Sequence, residues 1–137
     1  MATLASDSPR EYAIGDFNEL PVVSSDIIFE GAAVGGSGGN ARPLVAADPF
    51  QGFADRKADN SAGAAGDINV RVRQKGFTQL SVAGVTGVSD EGSAVYASDD
   101  NTFTLTSTAN SPIGKVARFI SGTTVLVYFE AAALRSI

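Results

Sequence analysis

The side chains that most often carry enzymatic chemistry are missing from this 137-residue chain, which has neither histidine nor cysteine. Thiol nucleophiles, disulfides, Cys/His zinc sites and imidazole acid–base catalysis are therefore excluded. Carboxylates, Lys, Ser/Thr and Tyr remain. Asp99-Asp100 has the composition of a metal or acid–base pair. It runs directly into Asn101, however, and lacks the glycine and terminal Glu of a calcium loop. Short Asp/Asn side chains bond their own main chain, so Asp99-Asp100-Asn101 reads as a hairpin turn. Ser89-Asp90-Glu91-Gly92 reads the same way. Distant carboxylates can meet in space, as glycoside hydrolysis requires, but no spacing here points to such a pair. Gly35-Gly36-Ser37-Gly38-Gly39 raises the question of a phosphate loop. That loop needs a Lys-Ser/Thr pair opening a helix, and Asn40-Ala41-Arg42-Pro43 follows instead, so the run reads as a mobile hairpin tip.

Two further sets are suited to contact rather than catalysis. In Ile68-Asn69-Val70-Arg71-Val72-Arg73-Gln74-Lys75, alternation puts Ile68, Val70 and Val72 on one strand face and Arg71, Arg73 and Lys75 on the other. This basic stripe is either a solvated sheet face or a contact for an acidic partner. Phe50 and Phe53 either plug one end of a sheet or insert into a partner, where aromatic anchors concentrate.

The elements that must position these residues are mostly strands. The stretch from Ala94 to Ala131 holds four β-branched and aromatic runs, Ala94–Ala97, Thr102–Thr106, Ile113–Ile120 and Thr123–Phe129, separated by Asp/Asn/Gly/Pro clusters. Ser121-Gly122 reads as a second hairpin turn. Val125-Leu126-Val127-Tyr128-Phe129 is apolar throughout, which predicts a central strand covered on both faces. Upstream, strands are expected at Arg10–Ile14, Pro21–Val23, Ile27–Val34, Leu44–Ala46 and Ile68–Lys75, then Phe77–Val82 and Gly84–Val88. Asp48-Pro49-Phe50-Gln51 has the form of a helix start, with Phe50, Phe53 and Ala54 on one helical face, so at most one short helix is expected near 49–58. Met1–Pro9 is small, polar and without periodicity, and reads as an extended arm.

About ten short strands at this spacing suit an all-β sandwich or barrel. The length fits one domain with a real core, taken as 12–137 behind an arm at 1–11. A net charge of −5 argues against a broad nucleic-acid surface. No run reaches bilayer-spanning length, and the N-terminus lacks the basic and apolar regions of a secretory signal. The absence of cysteine fits assembly in a reducing cytoplasm.

Four phrases, SPREYAIGDFNELPV, DPFQGFADRKADNSAGAAGDINVRVRQKG, VYASDDNTFTLT and SPIGKVARFISGTTVLVYFEA, make most of the chain resemble the capsid cement, or head decoration, proteins of tailed bacteriophages. The resemblance lies in phrase order and small-β character, not in a catalytic signature. It implies a jelly-roll-like or barrel-like virion protein that binds the outer face of the assembled capsid and bridges neighbouring major capsid protein subunits against internal DNA pressure. It further implies a homodimer or homotrimer, without enzymatic activity, cofactor, metal, nucleic-acid or membrane partner. The residues expected at the capsid or subunit interface are Arg10, Tyr12, Phe50, Phe53, Arg71, Arg73, Lys75 and Tyr128. The competing expectation is a β-sandwich module that binds a receptor or glycan. The placement of Tyr12, Tyr96 and Tyr128 in strands and the absence of tryptophan weigh against it.

Overall fold

The computed structural model describes Thr3, residues 5–10 and residues 15–134. The chain is all-β: β1 (Phe17–Pro21), β2 (Asp26–Ile28), β3 (Ala33–Ser37), β4 (Asn40–Pro43), β5 (Phe50–Ala54), β6 (Ala58–Asn60), β7 (Asn69–Arg73), β8 (Lys75–Ala83), β9 (Ala94–Asp99), β10 (Thr102–Thr104), β11 (Ser111–Ser121) and β12 (Thr124–Glu130). A 3₁₀ turn at Val88–Asp90 and a short helix, Ala131–Leu134, complete the described elements.

The C-terminal strands close into a barrel in the order β10-β8-β12-β11-β9, and closure removes the unpaired edges that an open sheet exposes. One pair, β10 with β8, is parallel, and the others are antiparallel. As expected, Asp100-Asn101 turns β9 into β10, and Gly122, at φ 55°, helps turn β11 into β12. β12 does lie between β8 and β11, but its two faces differ. Val125, Val127 and Phe129 are buried inside the barrel, whereas Leu126 and Tyr128 are half-buried on its outside. An apolar run therefore hides an ordinary alternation, because Leu126 and Tyr128 line an outer face that is only partly covered.

The N-terminal strands form a second sheet, β1-β7-β5-β3-β4. It rolls until its two ends meet at a parallel bridge between Val22 and Ala41. Val22, Ile28, Val34, Ala41, Val70 and Val72 fill the inside of the roll, with the β2-β6 ribbon contributing Ile28 and Ala58. Gly38 and Gly39, at φ 58° and 86°, make the two-residue β3-β4 turn that the glycine run predicts. The rest of that run has a different role. Gly35 and Gly36 lie beneath the Asp48 and Gln51 side chains, in space that a Cβ would occupy.

Several expected boundaries are corrected. Residues 50–54 form a strand, not the start of a helix, and the i, i+3 pairing of Phe50 and Phe53 has another cause. Gly35 pairs with Phe50 and Val34 with Gly52, so Gln51 is an extra residue in β5. Such a bulge reverses the alternation and puts both rings on one face. The expected Ile27–Val34 strand breaks at Gly31, whose φ is 86°. Residues 84–88 leave the sheet, and residues 44–46 contribute only a bridge from Val45 to Asp99. The expected Ile68–Lys75 strand stops at Arg73, and Lys75 begins the barrel. The strand expected at Arg10–Ile14 falls largely outside the described residues, and the first strand among the described residues is Phe17–Pro21.

The rolled sheet and the barrel meet through aromatic rings. Phe50 and Phe53 stand edge-on to each other at 5.3 Å, and Phe53 stands edge-on to Phe129 at 4.9 Å and to Phe103 at 6.1 Å. Gly52 makes this possible, since its φ of 122° is unfavourable for any other residue and a Cβ there would strike the Arg73 carbonyl. Gly52→Ala is expected to destabilise the fold by about 3 kcal/mol, because strain and overlap coincide. Urea unfolding checks this, and a loss below about 0.5 kcal/mol would show that the bulge relaxes without cost.

Candidate interaction surface

The basic stripe forms half of an exposed patch. β1 and β7 pair so that Phe17 faces Arg73 across the ladder and Glu19 faces Arg71. Because Val70 and Val72 turn into the roll, Arg71 and Arg73 must point outward. Both guanidinium groups lie over the Phe17 ring, with Arg71 Cζ 4.0 Å and Arg73 Cζ 4.6 Å from its centroid. A cation above an aromatic face is attracted by the ring quadrupole, which favours Arg's flat group. Asp55 sits 3.7 Å from each guanidinium. That separation gives Coulomb attraction without a hydrogen bond. Lys75 reaches the same neighbourhood from the barrel, 3.9 Å from Asp16.

The second half lies on the barrel. Phe77 is 63% exposed and packs against Tyr128 on the neighbouring strand, with centroids 5.4 Å apart. The Tyr128 hydroxyl donates to Glu130 Oε2 at 2.5 Å, and this bond raises the phenol pKa. Between the halves runs a groove of about 290 Å³. Phe53 and Phe129 contribute to its lining, with Glu30, Gly31, Phe77, Asp55 and Arg73 around it. Arg73 thus belongs to both the cationic patch and the groove.

The expected interface residues separate into three groups. Arg71, Arg73, Lys75 and Tyr128 lie on this side of the molecule. Phe50 and Phe53 do not project toward a partner, being 2% and 8% exposed, and the core-plug alternative is the one realised. Arg10 is exposed and outside any strand or helix, and Tyr12 lies outside the described residues. Sequence reasoning missed Phe17, Asp55 and Phe77. A signal existed for Phe77, which alternates in phase with Gln79 and Ser81 while Leu80 and Val82 face inward. Phe17 alternates with Glu19 in a short strand containing proline, which obscures it.

Of the carboxylates considered for chemistry, Asp90, Glu91 and Asp99 are occupied by local structure. Asp99 accepts the Asn101 N–H at 2.8 Å, which lowers its pKa. Asp90 accepts the Thr86 and Gly87 N–H groups, with the same effect, and Glu91 accepts from Phe119 N. Asp100 moves the other way, raised first by burial and then by Asp99 and Asp26. Among the described residues no group of three or more Asp, Glu, His or Cys side chains could hold a metal ion. No helix among them is long and apolar enough to cross a membrane.

Comparison of the chain with protein-family models, with curated proteins and with solved structures finds no match.

Asp48 anchors the region beside the bulge. It takes two bonds from Arg42, at 2.9 Å from Nε and 2.7 Å from Nη2, and one from Val45 N. Burial pushes its carboxyl up, but these bonds and the Arg42 charge outweigh burial and hold it below the ordinary value. A depressed carboxylate contributes stability that is complete above the unfolded value of about 4 and lost as pH falls through the folded one. Asp48→Asn is therefore expected to lose about 2 kcal/mol at pH 7, an amount typical of charged hydrogen bonds. The gap from wild type should close as urea titrations step down towards pH 3, and a pH-independent gap would refute the linkage. Phe77→Ser, by contrast, is expected to change unfolding free energy by less than about 0.5 kcal/mol, as befits a ring that contributes little to the core.

Proposed function

We propose that this chain is a structural virion protein that binds the outer surface of the assembled phage capsid and cements neighbouring major capsid protein subunits against internal DNA pressure. The observation that carries this reading is the division of labour among side chains. Asp90 and Asp99 are committed to turns, while aromatic rings and guanidinium groups are left exposed along one side, from Phe17 through Arg73 to Phe77. Exposed rings rimmed by charge are a contact surface. The resemblance of four phrases to capsid cement proteins supplies the identity of the partner.

On this reading the protein works without cofactor or catalysis, is made in the host cytoplasm and resides on the outside of the virion. A shell repeats one site many times, so a homodimer or homotrimer attaches multivalently through individually modest contacts. The fold suits a load-bearing role, because the C-terminal barrel has no free sheet edges. Phe77 and Tyr128 favour one alternative, a glycan- or receptor-binding module, since an exposed ring beside a half-buried one can stack on a sugar.

The test is co-sedimentation with shells stripped of this protein, in expanded and unexpanded forms. Saturable binding to expanded shells at a fixed ratio to capsid subunits is expected. No binding to either form would discard the capsid role, and selective binding on a glycan array would replace it with the alternative.

A further inference from the structure

We infer that two copies of this chain join through the outer wall of the barrel, about a two-fold axis that runs along β12. The inference deepens the capsid reading and rests on it for the expectation that copies join; what it adds is their number and the surface they use. It is carried by the register of three strands.

Residues directly opposite each other in a ladder share one face. Tyr128 faces Phe77 on β8 and Lys115 on β11, and Leu126 faces Gln79 on β8 and Arg118 on β11. The last of these pairings depends on the register shift at Ala117, without which Arg118 would turn inward. Val125, Val127 and Phe129 fill the interior, so both rows stand on the outside. Phe77, Gln79, Lys115 and Arg118 are exposed, and Tyr128 and Leu126 are half-buried between them.

The two rows are complementary to themselves. β11 supplies cations, β8 supplies a ring and an amide oxygen that attract them, and β12 supplies an apolar ridge in the middle. A two-fold along that ridge exchanges the flanks. Lys115 of one copy then meets the Phe77 ring of the other, Arg118 meets Gln79, and Tyr128 and Leu126 each meet their own counterpart. A two-fold turned across the strands would instead set Lys115 against Arg118, so like charge selects the axis.

Nothing within one chain provides these contacts. Lys115 and Arg118 have no ion pair or ring contact among the described residues, and Tyr128 stands between Lys115 and Phe77. Neither row holds a carboxylate. Glu130, one row on, accepts from Tyr128 and faces Lys75, and Glu91 accepts from Phe119 N. The contact is small, because a barrel wall is convex and these rows fall well short of the roughly 20–30 residues a side of a standard interface. Free copies therefore exchange, with a dissociation constant on the order of 0.1 mM.

Sedimentation equilibrium of the full chain from about 10 µM to about 1 mM is expected to show reversible dimerisation. Phe77→Lys should weaken it at least about tenfold by setting two lysines together, and adding Lys115→Phe should restore it, since the pair is exchanged but kept. Backbone amide shifts on dilution of the wild type, followed by NMR, should centre on residues 77–79, 115–118 and 126–128, which tests the surface without any variant. A monomer throughout, a trimer, shifts elsewhere, or a dimer indifferent to Phe77→Lys would overturn the inference. An exchanged pair that dimerises no better than Phe77→Lys alone would overturn the two-fold. Stripped shells separate the two readings. A wild type that stays monomeric yet saturates expanded shells removes the dimer and leaves the capsid role; a dimer that binds neither form of shell removes the capsid role and leaves the dimer.

Discussion

Phe53 touches three other aromatic rings, and through it the rolled sheet and the barrel become one body. Edge-to-face pairs add about 0.5–1.5 kcal/mol each beyond the area they bury. Their larger role here is geometric. A ring on β5 fits against Phe129 of β12 and Phe103 of β10 only if β5 presents Phe50 and Phe53 together, which a regular strand cannot do. The extra residue Gln51 and the positive φ of Gly52 are what that requirement demands of the backbone.

The same bulge shapes the surface. Gly52 lets β5 approach the carbonyl of Arg73, and Asp55 N donates to Arg71 O at 2.8 Å, so β5 leaves the sheet directly alongside β7. Asp55 is thereby fixed between two arginines that would otherwise repel each other. The core contact and the exposed patch are consequences of one local distortion, so substitutions at position 52 would alter both.

Much of the architecture was legible in the sequence. Turn chemistry at Asp100-Asn101, Gly122 and Gly38-Gly39 marked three hairpins, the first through the Asp99 carboxylate accepting the Asn101 N–H and the other two through glycines at positive φ. Alternation located β7 and the inward face of β8. The misreading at 48–53 has a physical origin: Asp-Pro followed by apolar residues three apart is the pattern of a helix start, and a bulged strand produces the same spacing. What decides between them is tertiary, namely Arg42 drawing Asp48 away from any cap position and β3 pairing with β5. The interaction surface was half legible. Arg71 and Arg73 were visible because charge alternates in β7, but the ring that organises them lies more than fifty residues earlier and meets them only through the β1-β7 register.

That register also bears on where a small acidic chain carries its cationic groups. At a net charge of −5, isolated lysines or arginines would be dominated by their own carboxylate neighbours. Here the half-exposed Arg42 is committed to the buried Asp48, and Lys75 lies near Asp16. Arg71 and Arg73 instead share Asp55 and the Phe17 ring, with Glu19 opposite Arg71 in the ladder and Glu30 lining the groove that Arg73 also reaches. Each of these cations thus has a carboxylate of this chain for a neighbour, and what sets Arg71 and Arg73 apart is the Phe17 ring they share.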